Sequence, residues 1–393
     1  MRIAYTEEHE ALRRELQAYF ADLITGDVAA ELASGEGEYG GGDLYRRLVK
    51  QMGDDGWLGI GWPKEYGGQD RSMLEQLIFT DEASVAGAPV PFLTINTVGP
   101  TLMHHGTPEQ KARFLPRILA GDLHFAIGYS EPDAGTDLAS LTTRAVRDGD
   151  EWVINGRKMW TSLIQYADYV WLAARTDPEA SRHKGLSVFL VPTEVQGFSW
   201  TPVPTVTGTT TSQTFYDDVR VPADALVGPL HGGWPLITGQ LNRERVALCS
   251  AAPIQRALAE VLRWATQTKA SDGRRVIDHE WVRVNLARVH AKVEYLKLIN
   301  WKIAWGVDRG LNPADASATK VFGTEFAIEA YRLLMECFGD EAAVVAGSPG
   351  AAVQGRLERM YRSALILTFG GGTNEVQRDI ISMVALGMPR APR

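Results

Sequence analysis

Apolar residues near the start of the chain recur at helical spacing. Three segments share this pattern: 6–23, 43–52 and 72–85. Spacing of three and four residues predicts amphipathic helices. Thr107, Pro108 and Gln110 then supply a capping hydroxyl, a first-turn proline and a third-position glutamine, which together indicate the start of a further helix. We therefore expect an N-terminal helical domain over residues 1–123.

The pattern changes after residue 123. Short runs rich in β-branched and aromatic residues follow one another and predict strands at 125–129, 142–146, 151–154, 169–174, 186–191 and 198–203. The turn residues 148–150 separate two of these runs. Asn155 and Gly156 form a dipeptide that strongly favours a two-residue hairpin. We therefore expect a central antiparallel β domain over residues 124–232.

Helical spacing returns at residue 233 and continues to the end of the chain. Asp278 is a candidate cap for a long helix that reaches about Gly306. Further helices are predicted near 313–338, 352–367 and 374–386. The predicted fold class is thus α+β and multidomain, with a C-terminal helical domain over residues 233–393.

Composition narrows the class of protein. The chain has 393 residues, a net charge of -8 and no polybasic run, so neither a nucleic-acid nor a membrane partner is expected. No apolar run approaches the ~18–20 residues of a membrane span. Cys249 and Cys337 are the two cysteines, and they predict neither a disulfide framework nor a metal site. We expect a cytoplasmic protein.

Two central segments carry candidate chemistry. Residues 130–137 form a polar turn rich in hydroxyls and carboxylates, and residues 158–162 place Trp160 beside Thr161 and Ser162. An aromatic plane next to hydroxyl groups suits stacking and hydrogen bonding to a flat heterocycle. Each segment also fits a plainer interpretation, namely a loop between domains and a core tryptophan.

These two segments, with 61–68 before them and 369–378 after them, resemble the acyl-CoA dehydrogenase family of flavoproteins. The resemblance covers essentially the whole chain. It implies a helical domain, a β domain and a C-terminal four-helix domain, with FAD as cofactor and an acyl-CoA substrate. Within the family, the run 365–389 is similar to catalytic subunits of actinobacterial α2β2 enzymes that act on steroid side chains in cholesterol catabolism.

The resemblance also implies which residues contact the ligands. Ile127, Tyr129, Ser130, Gly135, Thr136, Trp160, Ser162, Thr373 and Glu375 match positions that bind FAD. Ser130, Thr136 and Arg245 match positions near the acyl-CoA. Family members remove the α proton and pass the β hydrogen as hydride to flavin N5, which yields a trans-2-enoyl-CoA.

In many relatives a side chain just before the Gly-Thr pair of the late motif removes the α proton. The matching residue here is Gly371, which has no basic side chain, so another residue must act as the base. A subset of the family supplies a glutamate from an earlier helix, and the matching residue here is Glu244. Its helical neighbours, including Leu241 and Leu248, are apolar, which favours burial and a raised pKa. A solvated helix face remains the alternative. The resemblance leaves Gly371 as an amide donor to the thioester carbonyl.

Two family segments that complete a neighbouring subunit's FAD site are degraded in this chain. An Arg-x-x-Phe-Gly segment aligns with 265–270, which lacks the arginine, and a Gln-x-x-Gly-Gly segment falls in 332–340, where only Gly339 survives. We therefore expect a homologous second subunit in an α2β2 assembly, and an electron-transfer flavoprotein as acceptor. A non-catalytic acyl-CoA-binding subunit and an acyl-CoA oxidase remain alternatives.

Overall fold

The computed structural model describes residues 3–34, 42–206, 208, 210–247, 249–306, 310, 312–351 and 355–389, and the side chains of all of these except 33, 34, 241–247 and 313. The first third of the chain is helical, as predicted. Its helices are α1 (Glu7–Leu23), α2 (Gly26–Ser34), α3 (Gly42–Asp54), α4 (Met73–Ala86), α5 (Gly99–His105) and α6 (Pro108–Leu119). Thr6, Ser72 and Thr107 each cap a helix through a reciprocal capping box, which satisfies free amides of the first turn.

The central part forms a sheet that extends beyond the predicted runs. Its strands are β1 (Phe125–Gly128), β2 (Arg144–Asp148), β3 (Glu151–Lys158), β4 (Tyr169–Arg175), β5 (Leu186–Pro192), β6 (Phe198–Pro204), β7 (Thr210–Pro222) and β8 (Leu226–Val227). Within the described ranges the order is β6-β7-β3-β2-β4-β5-β8, and β1 pairs with β4. The hairpins are antiparallel as expected, but β1 runs parallel to β4.

The predicted hairpin at Asn155-Gly156 is wrong. Both residues lie inside β3, and the register with β7 shifts between Ile154 and Gly156 so that Asn155 faces two residues of β7, Asp217 and Asp218. The bulge is therefore on β7. The Asn155 side chain accepts a hydrogen bond from the amide of Asp218 at 3.0 Å. A Cβ on Gly156 would lie 2.5 Å from Oγ1 of Thr143, and the backbone has φ +151°. The close approach of Thr143 thus explains why glycine occupies this position. The turn between β2 and β3 lies at 148–150.

The C-terminal part is helical. Its helices are α7 (Gly233–Ala247), α8 (Ala252–Gln267), α9 (Glu280–Gly306), α10 (Pro313–Glu336), α11 (Arg356–Ala364) and α12 (Asn374–Ile380). Asp278 does not cap α9, because it lies in a 3₁₀ turn and forms an ion pair with Arg275 at 2.8 Å. The helix continuing from α12 changes to a π turn at Ile381–Ala385.

Three buried apolar clusters hold these parts together. One joins the N-terminal helices to one face of the sheet, a second lies on the other face, and a third lies among α8 to α11. Leu236 and Ile237 of α7 belong to the first cluster, so the start of α7 is anchored beside the sheet. No described helix is both long and apolar enough for a membrane span.

We expect Gly156→Ala to destabilise the fold by about 1–3 kcal/mol, because the added methyl overpacks the contact with Thr143. Urea denaturation measures the change. Gly26→Ala is the matched control, since a Cβ there meets no atom within 4 Å. Equal unfolding midpoints for the two variants would contradict the close approach at Gly156.

Candidate active-site cleft

A buried ion pair joins the two central segments that the sequence singled out. Lys158, at the end of β3, places its ammonium 2.8 Å from the carboxylate of Glu131, and both side chains are buried. The same ammonium donates to the carbonyl of Tyr129 at 3.0 Å. The Met159 amide donates to the carbonyl of Ser130 at 2.8 Å. The polar turn after β1 is therefore tied to the segment that carries Trp160.

The Glu131 carboxylate receives further donors from the two residues that precede β2. The amides of Thr142 and Thr143 donate to it at 2.7 and 2.8 Å. Desolvation raises the pKa of Glu131, but the Lys158 charge and these hydrogen bonds outweigh it and hold the pKa at about 2. Burial lowers the pKa of Lys158 to about 8, and Glu131 opposes that shift. The pair therefore stays ionised at neutral pH.

Trp160 adopts an unusual backbone conformation at the edge of this region. Its φ is +64°, a region that bulky residues rarely occupy and that is enriched at functional sites. Its side chain is 56% exposed. The next residues are tied to β7, because the Thr161 amide donates to the carbonyl of Ser212 at 2.9 Å and the Ser162 hydroxyl lies 3.0 Å from that of Thr211. The indole is thus exposed, while the backbone that follows it is fixed by hydrogen bonds to β7.

The late segment forms a glycine-rich loop before α12. Gly371 and Gly372 have φ values of +67° and +92°, which glycine adopts without strain. Lys320 of α10 is fully buried and donates at 2.8 Å to both the carbonyl of Gly372 and the side-chain oxygen of Asn374. Thr373 caps α12 by accepting from the amide of Val376. The loop that contains Gly371 is therefore fixed by the Lys320 side chain and by the cap of α12.

The two halves of the predicted site meet across an open cleft of about 440 Å³. One wall carries Thr136, Asp137 and Arg182, and the other carries Thr373 and Glu375. The lining also includes Val376 and Asp379. Hydrogen bonds from its own amide and from the Thr373 hydroxyl lower the pKa of Glu375. Three predicted cofactor residues from distant parts of the sequence, Thr136, Thr373 and Glu375, thus share one cavity.

The structure places three further predicted cofactor residues, Tyr129, Ile127 and Gly135, on β1 and in the turn after it. Tyr129 is buried, and its phenol donates to Gln240 of α7 and accepts from the Trp171 indole at 3.0 Å. Ile127 is partly buried on β1, where it pairs with Trp171. Gly135 is exposed in the turn that carries Thr136. Tyr129 therefore links the sheet to α7 through its side chain, a contact that its place in the family motif does not suggest.

Glu244 and Arg245 lie in α7, and their side chains lie outside the part of the chain that the structure describes. The preceding turn of α7 is described, and there Gln240 is buried. Its amide nitrogen has no hydrogen-bond partner within the described part.

Sequence reasoning missed three groups that position the cleft: Glu131, Lys158 and Lys320. Alternation along β3 could have found Lys158, because it shares its face with the buried Trp152 and Ile154. Lys320 lies four residues from the buried Ala316 and Thr324 on α10, so helical spacing places it on the inner face. In both cases the sequence places a lysine among positions that face the interior, and this pattern would have predicted a buried lysine.

Sequence profiles of three domains match the chain in order. They are described as the N-terminal, middle and C-terminal domains of acyl-CoA dehydrogenase and match residues 6–122, 126–219 and 231–386. The chain belongs to the acyl-CoA dehydrogenase family. It is therefore an oxidoreductase that acts on a CH–CH bond, and the fold and family that the sequence motifs predicted are confirmed.

Known acyl-CoA dehydrogenases match this chain end to end. FadE26 of Mycobacterium tuberculosis is 65% identical over 400 residues and FadE29 is 46% identical over 398, with 100% of both chains covered in each case. A chain of the ChsE4-ChsE5 complex from Mycobacterium tuberculosis has a TM-score of 0.94 at 64% identity, and a chain of the Tcur3481-Tcur3483 steroid ACAD has 0.93 at 49%, again with 100% coverage of both.

The cleft suits a flavin. Trp160 offers an exposed ring, and two residues later the hydroxyl of Ser162 lies 3.0 Å from that of Thr211. In α12, whose start lines the cleft, Gln377 is fully buried, and neither of its side-chain amide atoms has a hydrogen-bond partner within the described residues. A Cβ on Gly372 would lie 2.8 Å from that amide nitrogen. An aromatic face, hydroxyls and unsatisfied amide atoms match the needs of a polar heterocycle.

We expect Glu131→Gln to destabilise this acyl-CoA dehydrogenase by about 3–5 kcal/mol, because it leaves the Lys158 charge buried without its counterion. In the wild type, the carboxylate's contribution is complete above its ordinary pKa of 4.5 and is lost as the pH falls towards 2. Urea denaturation at pH 7 and pH 4 measures both effects. Glu151→Gln removes a partner from the exposed pair with Arg220 and is the control. A similar loss in both variants would contradict a special role for the buried pair.

Proposed function

We propose that this chain is the base-bearing subunit of an FAD-dependent acyl-CoA dehydrogenase that converts a steroid side-chain CoA thioester into its trans-2-enoyl-CoA. The supporting observation is the cleft in which the turn after β1 meets the glycine-rich loop before α12. The steroid substrate is supported by the similarity to the Tcur3481-Tcur3483 steroid ACAD.

Trp160, Ser162, Thr136, Thr373 and Glu375 would hold the flavin, with Ile127, Tyr129, Ser130 and Gly135 contributing from the turn after β1. Bound FAD supplies an acceptor for the substrate's β hydrogen as hydride. The chain itself must bind and orient the thioester, remove the α proton and stabilise the charge that develops on the thioester oxygen. We assign thioester binding to Ser130, Thr136 and Arg245.

Glu244 is the proposed base. Ile237 and Gln240 lie seven and four residues earlier in α7, and both are buried. Helical periodicity therefore supports an inward direction for Glu244. Burial raises the pKa of a carboxyl group and makes it a stronger base near neutral pH. The proton removed from the substrate's α carbon would reside on this carboxyl group.

Gly371 is the proposed donor to the thioester carbonyl oxygen. Its left-handed backbone and the anchoring of the next residue by Lys320 support a loop whose amides are held in fixed directions. A pre-oriented amide stabilises the enolate-like oxygen without reorganisation, an effect worth ~3–4 kcal/mol for a single donor. An acidic side chain at this position is then unnecessary, because Glu244 performs the proton transfer.

The charge of the cleft supports a second subunit. Its described lining holds one guanidinium, Arg182, against the carboxylates of Asp137, Glu375 and Asp379, and Arg182 lies 3.6 Å from Asp137. Arginine forms strong, bidentate hydrogen bonds with phosphate groups, whereas carboxylates repel them. We therefore propose that a homologous chain supplies further cations in an α2β2 assembly, as the two-chain complexes of its relatives suggest. An electron-transfer flavoprotein is the proposed acceptor.

We expect Glu244→Gln to slow flavin reduction by ~10²–10⁴-fold, because the variant cannot accept the α proton. Anaerobic mixing of the co-expressed complex with a steroid side-chain CoA thioester, followed by bleaching of the flavin absorbance, measures the rate. Glu65→Gln, at an exposed site of the same chain, is the control. An unchanged rate in Glu244→Gln with full flavin content would instead favour the non-catalytic subunit.

We also expect the chain expressed alone to retain little FAD, and the complex with a homologous partner to retain it, since the described lining of the cleft holds one guanidinium against three carboxylates. Flavin absorbance per chain after gel filtration measures the occupancy. Stable, stoichiometric FAD and turnover in the chain alone would refute the heteromer.

A further inference from the structure

A buried series of hydrogen bonds links the sheet to α7. The indole N–H of Trp171, on β4, donates to the phenol oxygen of Tyr129 at 3.0 Å, and the phenol donates to the side-chain oxygen of Gln240 on α7. All three side chains are buried, and Gln240 is only 1% exposed. The series ends there, because the amide nitrogen of Gln240 has no hydrogen-bond partner within the described residues.

The chemistry of this series fixes which way the Gln240 amide faces. An indole N–H can only donate, so the Tyr129 oxygen accepts from Trp171. The single phenol hydrogen is then left for Gln240, where it requires the amide oxygen. A rotated amide would place its own hydrogens against the phenol and leave the phenol hydrogen without an acceptor. The NH2 group of Gln240 therefore faces away from Tyr129.

Both ends of the series are anchored. Trp171 is fully buried within the sheet, where β4 pairs with β1 on one side and β5 on the other. The carbonyl of Tyr129 accepts from Lys158, whose ammonium belongs to the buried ion pair of the cleft. The turn of α7 that precedes Gln240 packs in the apolar cluster against the sheet. The Gln240 side chain is thus held both by the sheet and by its own helix.

A buried donor without a partner is unfavourable. An N–H group that leaves water without gaining an acceptor destabilises the fold, and an apolar side chain of the same length would avoid this cost. The amide oxygen of Gln240 serves Tyr129, but its NH2 group serves none of the described residues. Glutamine at position 240 is therefore suited to an acceptor that the described side chains do not supply.

The residue one turn later on the same helix is Glu244, the proposed base. Helix α7 spans Gly233–Ala247, so positions 240 and 244 both lie within it, and side chains four residues apart on a helix are neighbours. Helical side chains lean towards the N-terminus of their helix, which favours contact between a side chain at position 244 and the turn that carries Gln240. A carboxylate accepts the hydrogen bonds that an amide NH2 group donates.

We propose that Gln240 is a positioning residue for the base: its amide N–H donates to the carboxylate of Glu244 and holds it towards the α carbon of the substrate. The inference rests on the proposed function, because it assigns how that same base is held. An ionised carboxylate accepts such a bond more strongly than the neutral acid that forms when it takes the α proton. Loss of the donor therefore raises the pKa of Glu244.

Other ionisable groups around α7 contribute to the same pH dependence. The π turn Thr94–Val98 and strand β5, which both pack against α7, carry none. Those on α7 and the elements around it include Arg243, Arg245, Tyr129, His105, Cys249, Lys297, Lys302, Lys320, Arg182, His183 and Lys184. Substitutions at position 240 leave all of these groups in place, so a difference in pH dependence reports residue 240 alone.

Two substitutions separate the donor from the rest of the side chain. Gln240→Met keeps the length and removes both hydrogen-bonding groups, whereas Gln240→Glu keeps an oxygen for Tyr129 and replaces the donor with a second carboxyl group. We expect the apparent pKa of the base to rise by about one unit in Gln240→Met, which is a tenfold change in proton affinity. It should rise further in Gln240→Glu, because two neighbouring carboxyl groups disfavour double ionisation.

The pH profile of flavin reduction measures this pKa. The co-expressed complex is mixed anaerobically with a steroid side-chain CoA thioester across about pH 5–9, a range that brackets tuned catalytic carboxyl groups. Gln255→Met and Gln255→Glu, at an exposed site on α8, are the matched controls and should keep the wild-type profile. Flavin content and thermal unfolding of the same samples show whether each variant is folded and loaded.

A role in packing alone predicts a different order. Glutamate has the shape of glutamine and keeps the acceptor for Tyr129, so a packing role would leave Gln240→Glu like the wild type and alter only Gln240→Met. That order, or wild-type profiles in both variants, would overturn the inference. Loss of flavin or of folding in both variants would assign Gln240 to the structure alone and overturn it as well.

Glu244→Gln, measured in the same series, separates this inference from the proposed function. Slow flavin reduction in Glu244→Gln, together with unshifted profiles in the Gln240 variants, would contradict the inference and leave the proposed base in place. Unchanged reduction in Glu244→Gln would contradict the proposed function, and the positioning role of Gln240 would be lost with it.

Discussion

The cleft depends first on the ion pair between Glu131 and Lys158. Two charges buried from water cost several kcal/mol each in desolvation, and only a complete set of partners offsets this cost. Here the carboxylate accepts from Lys158 and from two backbone amides, and the ammonium also donates to the Tyr129 carbonyl. The pair therefore fixes the relative position of two loops more than it adds to net stability. If either loop moves, one of the two buried charges loses its partner.

A second buried lysine performs the same task on the opposite wall. Lys320 donates to the Gly372 carbonyl and to Asn374, and so fixes a glycine-rich loop that has few side chains of its own to pack. In both walls a long cationic side chain reaches from regular structure to the carbonyl of a loop, at Tyr129 from β3 and at Gly372 from α10. A loop that must present its backbone to a ligand cannot also bury its own side chains, so its rigidity has to come from neighbouring elements.

This division explains what the sequence could and could not predict. Helices α1, α4 and α6 follow apolar spacing and capping residues, which are local signals. Strand β7 was missed because its first half, from Thr210 to Thr214, is polar and buried only by long-range pairing. The Asn155-Gly156 dipeptide was mistaken for a turn because neither the bulge on β7 that faces it nor the contact with Thr143 is visible in local sequence. The cofactor residues came from family resemblance, whereas Glu131, Lys158 and Lys320 were missed because charged residues are ordinarily assigned to the surface.

Two surfaces of the single chain lack a complementary partner in what the structure describes, and each creates a separate need. The described lining of the cleft has more carboxylates than cations, which is unfavourable for a cofactor that carries phosphates. One face of α9 exposes apolar side chains to water. The first need is electrostatic. We propose that a homologous partner meets it, because the segments at 265–270 and 332–340 of this chain depart from those that complete the site in homomeric relatives. The second is apolar, because large side chains of α9 remain exposed in the single chain.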